Sequence, residues 1–125
     1  MGETITSGNL EFFVENRAVG EDGGPSLQVL GPIDGQKVQL LRFDMFYKGP
    51  HYHYAPNGKN IRYDLDPLTV DDGIEWAMRF LRAKLPQMVA LAGYPESTAA
   101  ADTAGANRAL DEVERRWRSQ PPASE

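Results

Sequence analysis

The feature that most constrains this chain is a change of hydrophobic period near residue 69. Upstream, apolar and polar residues alternate in short runs broken by Gly, Pro and Asn. Downstream, Ile74, Met78, Leu81, Leu85, Met88 and Ala92 recur at steps of three or four. A period of two sends successive side chains to opposite faces of a strand, whereas a period near 3.6 lines one face of a helix. A chain that switches once from the first to the second keeps its strands apart from its helices. That pattern predicts an α+β fold, an antiparallel sheet followed by helices packed on one face.

Aromatic and β-branched residues mark strands over residues 10–17, 26–30, 37–47 and 60–66. Residues 51–55 continue the third of these after a bend at Gly49 and Pro50. GEDGGP at 20–25 reads as a loop, while Asp34-Gly35 and Asn57-Gly58 suit tight turns. The expectation is a sheet of about four strands. Thr69 and Asp72 resemble a capping box. Pro86 predicts a kink near residues 83–85, and Gly93 with Pro95 ends the helix. A second helix follows through Ala106, Leu110, Val113 and Trp117, which makes two. The 125 residues fit one core. A single domain over 1–119 with a flexible tail over 120–125 is expected.

Composition removes several classes of function. Without cysteine there are no disulfides, thiolate metal sites or cysteine nucleophiles. The net charge is −5, which argues against broad capture of nucleic acid or anionic membrane. No apolar run approaches the ~18 residues of a spanning helix. Neither a basic start nor an apolar stretch marks the first residues, so a secretory leader is not expected and the location reads as cytoplasmic. Charge is uneven, however. Residues 1–36 hold one basic residue against six acidic, whereas residues 37–68 hold five against three and both histidines. This middle third is where a small anionic ligand would find positive charge.

Strand alternation sorts that segment. Leu41, Phe43, Met45 and Tyr47 share one face, and Arg42, Asp44 and Phe46 the other. His51 and His53 share a face, as do Arg62 and Asp64. If the apolar faces meet the helices, the polar set Arg42, Asp44, His51, His53, Arg62 and Asp64 converges on the outer face as a ligand-binding site. His-x-His on a strand points two imidazoles the same way, a spacing suited to a divalent transition metal, and Asp44 or Asp64 could supply a third or fourth donor. Without a metal, the same pair beside Arg42 and Asp44 suits acid–base catalysis on a phosphoester, with Arg42 holding the developing charge. A third reading makes the histidines surface strand residues and Arg42–Asp44 an ion pair. Tyr47, Tyr52, Tyr54 and Tyr63 cluster nearby. Aromatic enrichment of this kind marks interfaces, so a homodimer, or docking on a larger enzyme as an accessory subunit, is also expected.

The run Arg42-Phe43-Asp44-x-Phe46 followed by Pro50-His51-Tyr52-His53-Tyr54 resembles a signature of small bacterial proteins of uncharacterised function. The likeness extends over residues 40–95 or so and implies no activity. The Arg-x-Asp, break, His-x-His pattern is also loosely similar to small toxin components of toxin–antitoxin systems, which implies a sheet with helices on one side. The leading expectation is therefore a small soluble protein with a ligand or metal site on the sheet. An accessory subunit and a metal-free nuclease or phosphoesterase stand as alternatives.

Overall fold

In the computed structural model, which describes residues 2–106 and 108–123, six strands pair with their sequence neighbours in one antiparallel meander. They are β1 (Glu3–Ser7), β2 (Leu10–Val19), β3 (Asp22–Ile33), β4 (Gln36–Asp44), β5 (His51–Tyr54) and β6 (Ile61–Asp64). Three helices follow: α1 (Gly73–Leu91), α2 (Thr98–Ala106) and α3 (Ala109–Arg118), with a short 3-10 turn at Pro95–Ser97. The α+β order is as expected, but the sheet has six strands rather than about four, and there are three helices rather than two.

Each difference has a local cause. β1 reads ETITS, whose one apolar side chain, Ile5, leaves almost no alternation to detect. The loop expected at 20–25 shrinks to a two-residue hairpin, because Val19 already pairs with Asp22. Gly20 supplies the positive φ of 60° that this turn needs. Residues 51–55 do not extend the preceding strand. The segment from Met45 to Pro50 reverses the chain, and β5 runs antiparallel to β4. The alanine-rich stretch ahead of Ala109 forms a helix of its own.

Between β3 and β4 the register slips by one. Val29 faces Leu41 and Leu30 faces Gln39, which leaves Leu40 as the extra residue of a β-bulge. Leu40 and Leu41 are consequently both fully buried. The sheet's inner face, with Phe12, Val14, Leu27, Val29, Leu41 and Phe43, forms one core with α1 and α3. α1 contributes Ala77, Met78, Leu81, Leu85 and Val89, while α3 contributes Leu110, Val113 and Trp117. Asp72 is the N-cap of α1 and accepts from the Glu75 amide at 3.1 Å. It is therefore the cap itself, not the fourth residue of a box opened by Thr69. Thr69 instead donates its hydroxyl to the Asp66 carbonyl at 3.0 Å. The kink falls where Pro86 predicts it, with Lys84 at φ −141°, ψ 17°.

Beyond α3, Gln120 is buried and donates to the Glu3 carboxylate. Asn16 donates to the Gln120 and Pro121 carbonyls at 3.1 and 2.9 Å, which ties this segment to β2. Residues 124 and 125 of the expected tail lie outside the described residues. Among the described residues, no helix is long and apolar enough to cross a membrane.

Candidate metal centre

The pairing of β4, β5 and β6 sets which polar side chains meet. Asp44 lies opposite His51, which lies opposite Asp64; Arg42 lies opposite His53, which lies opposite Arg62. Paired residues share a face, so all six expected site residues stand on the side away from the helices. Four of them come together. Arg62 and Asp64 are exposed and pair with each other, Nη2 to Oδ1 at 2.8 Å.

Asp44 is the hub. Its Oδ1 accepts from the Ser26 hydroxyl at 2.8 Å and from Arg17 Nη1 at 3.2 Å. Its Oδ2 lies 3.2 Å from His51 Nε2 and 4.0 Å from His53 Nε2. Arg42 Nε is also 3.2 Å from Oδ2, but it makes no hydrogen bond there. The guanidinium sits beside the carboxylate rather than on it.

The surface-strand reading of the histidines does not hold. Asp44, His51 and His53 are 2%, 6% and 5% exposed. The loop after β4 folds Phe46 against His51, edge to face, with ring centroids 5.7 Å apart. Asp22 holds this loop in place, accepting from the Lys48 amide at 3.0 Å and the Gly49 amide at 2.8 Å. The Gly49 carbonyl in turn meets His51 Nδ1 at 2.8 Å. On the other side, the turn after β5 ends at Asn60, whose φ is 52°. Its side-chain oxygen meets His53 Nδ1 at 2.7 Å.

These contacts fix the chemistry. Carbonyl oxygens only accept, so both rings carry hydrogen on Nδ1. His53 Nε2 then presents an electron pair on the side of Asp44, while His51 Nε2 shares a hydrogen bond with the Asp44 carboxylate that a bound metal would replace. His53 Nε2 is buried and has no hydrogen-bond partner. Three possible ligand atoms thus lie within 4.8 Å of one another. A tetrahedral metal bound at 2.0–2.2 Å holds its ligand atoms about 3.3 Å apart. The His51–Asp44 spacing of 3.2 Å matches this, and His53, 4.0 Å from Asp44, would have to move closer. Metal-bound histidines characteristically donate their other ring N–H to an oxygen, as both do here.

Electrostatics keep the donors ready. Burial opposes the charge on Asp44, but hydrogen bonds from His51 and Ser26 and the charges of Arg42 and Arg17 outweigh it. The carboxyl is held down at about 2 and is ionised at neutral pH. Burial lowers the pKa of His53; Arg42 and His51 add to this and overcome the Asn60 hydrogen bond and the Asp44 charge. Its ring is therefore neutral at pH 7.

Residues 4–117 match the family model described as Domain of unknown function (DUF7700). The chain belongs to this family. Its match runs from the second residue of β1 to the last turn of α3, and Asp44, His51 and His53 lie within it. An uncharacterised family is what the Arg42–Tyr54 run implied, although the match speaks to neither a bacterial source nor that particular signature. No curated protein and no solved structure matches the chain.

Within this family fold, several residues at the site escape a reading of the sequence alone. Arg17 and Ser26 reach Asp44 only through the register of β2, β3 and β4. Asn60 belongs to a turn whose residue types account for themselves without a ligand. The period-two pattern did carry a signal for Phe46, which it puts on the face of Arg42 and Asp44.

Proposed function

We propose that this is a metal-binding domain in which Asp44, His51 and His53 hold one divalent transition metal. One observation carries the reading. Two imidazoles anchored through Nδ1 direct their Nε2 atoms at one carboxylate oxygen, and the buried His53 Nε2 has no partner. Two nitrogens and one oxygen suit zinc or iron(II) better than calcium or magnesium, which prefer all-oxygen sites. With three protein ligands a position stays open, and a metal there supplies Lewis-acid character. Arg17 and Arg42 weaken the hold on a dication. They also leave the filled site with excess positive charge, which favours a small anion at the open position. Metal-free acid–base work on a phosphoester is the weaker reading, because both imidazoles are buried.

Isothermal titration of the untagged chain with zinc and with iron(II) tests this, alongside elemental analysis of the purified protein. One metal per chain is expected in the wild type and none in His53→Ala. Asp44→Ala is the poorer variant, because it strands Arg17 and Arg42 and removing one partner of a buried ion pair costs about 3–5 kcal/mol. A folded wild type that takes up none of these metals would end the proposal.

A further inference from the structure

Independently of any metal, the free edge of the sheet carries its own instruction. β6 is the last strand, and its four residues are exposed. Edge strands are commonly blunted by Pro, by a bulge, by shortness or by charged side chains; β6 has neither Pro nor a bulge, and its two charges, Arg62 and Asp64, are of opposite sign. Leu65 donates its amide to the Pro50 carbonyl at 2.9 Å, toward β5. Antiparallel pairing alternates, so the backbone groups of Tyr63 also face β5 and those of Arg62 and Asp64 face outward.

Stacked rings run across the strands to the same edge. Phe43 of β4 stacks on Tyr52 of β5, with centroids 5.5 Å apart and planes 13° apart. Tyr52 stacks on Tyr63 of β6 at 5.4 Å and 27°. There the ladder stops, with Tyr63 48% exposed and Ile61 beside it 38% exposed.

We infer that β6 pairs antiparallel with β6 of a second copy, about a two-fold axis at Tyr63, which joins two six-stranded sheets edge to edge. In this register the outward backbone groups of Arg62 meet those of Asp64 in the other copy. On the histidine face, each Arg62 lies opposite an Asp64. On the other face, the two Tyr63 rings meet in a non-hydrogen-bonded pair, the closer of the two pair types, and the ring ladders of both copies become continuous. Ile61 lies opposite Leu65. The neighbouring register, centred on Arg62, sets Arg62 against Arg62 and is disfavoured by like charge. The contact is isologous and closes at two copies. It is small, so its dissociation constant is expected on the order of micromolar.

Sedimentation equilibrium of the full chain, with chelator present to exclude metal bridging, reads the outcome. The wild type should be a dimer at about 100 µM. Arg62→Asp sets acid against acid and should raise the dissociation constant about tenfold or more. The swapped pair, Arg62→Asp with Asp64→Arg, should restore the dimer. Both side chains are exposed, and circular dichroism confirms that each variant folds. A monomeric wild type would overturn the inference, as would a dimer indifferent to Arg62→Asp, or assembly that grows beyond two copies with concentration. So would dimer loss in the swapped pair, which would show that Arg62 and Asp64 do not face each other across the contact.

Discussion

Asn60 combines two properties that few residues share. It adopts a φ of 52°, which asparagine tolerates better than most side chains, and its amide oxygen holds the His53 ring at 2.7 Å. The two can be separated by experiment. Asn60→Gly keeps the backbone conformation and releases the ring. Removing a partner of this kind typically lowers metal affinity about 10- to 100-fold. Competition against a chromophoric chelator measures the change, and equal affinity in wild type and variant would show that Asn60 does not orient the ring. At this scale, the sequence makes the central part of the site legible. Arg-x-Asp and His-x-His each put two side chains on one face, so Arg42, Asp44, His51 and His53 emerge from alternation alone. Arg17 does not, because it sits 27 residues from Asp44 and reaches it only across β3. The burial of the histidines is equally invisible, since it depends on how the loop carrying Phe46 folds back.

Among the elements, α1 is held at its start by one side chain that also touches α3. Asp72 accepts from the Glu75 amide and pairs with Arg118 Nη1 at 3.0 Å. Burial opposes its charge, but the Glu75 amide and Arg118 outweigh it and hold the carboxyl below its usual value of 3.8. A carboxyl depressed in the folded state stabilises the fold above its unfolded pKa, and the contribution is lost as pH falls on through the lower folded-state pKa. Asp72→Ala should therefore cost about 1 kcal/mol at neutral pH. The deficit should shrink as pH falls below about 4. Urea unfolding of both proteins at the two pH values tests this, and a deficit independent of pH would mean that the charge plays no part. The boundaries of this helix show what periodicity can read. Its kink follows from Pro86, since a proline ring cannot continue the hydrogen-bond ladder. Its start is displaced because both Thr69 and Asp72 can cap, and only geometry decides between them. β1 is harder still, as a strand with one apolar side chain carries no alternation.

For the molecule as a whole, the site joins two strands whose connection is an irregular loop. A metal bound to Asp44 of β4 and to His51 and His53 of β5 would bind the folded chain and not the unfolded one. Free zinc at about 100 times its dissociation constant should then add about 2.7 kcal/mol to the stability. Thermal melts with and without zinc read this as a rise in Tm that disappears in His53→Ala. An unchanged Tm would count against selective binding to the fold. The strands-then-helices order was legible because it rests on a change of period that spans dozens of residues. The number of strands was not, because β1 has one apolar side chain and the reversal from Met45 to Pro50 makes two strands of one expected.

The extra residue at Leu40 divides β4 into two stretches that keep separate phase. From Leu41 onward, the facing of Arg42 and Asp44 is set by their partners in β5. Before Leu40, facing is set by the hairpin between Ile33 and Gln36. A gain or loss of one residue in that hairpin can be taken up where the ladder already slips, without turning Asp44 away from the imidazoles. Length variation among related chains should therefore gather on the hairpin side of Leu40, while the spacing from Arg42 to His53 tolerates none.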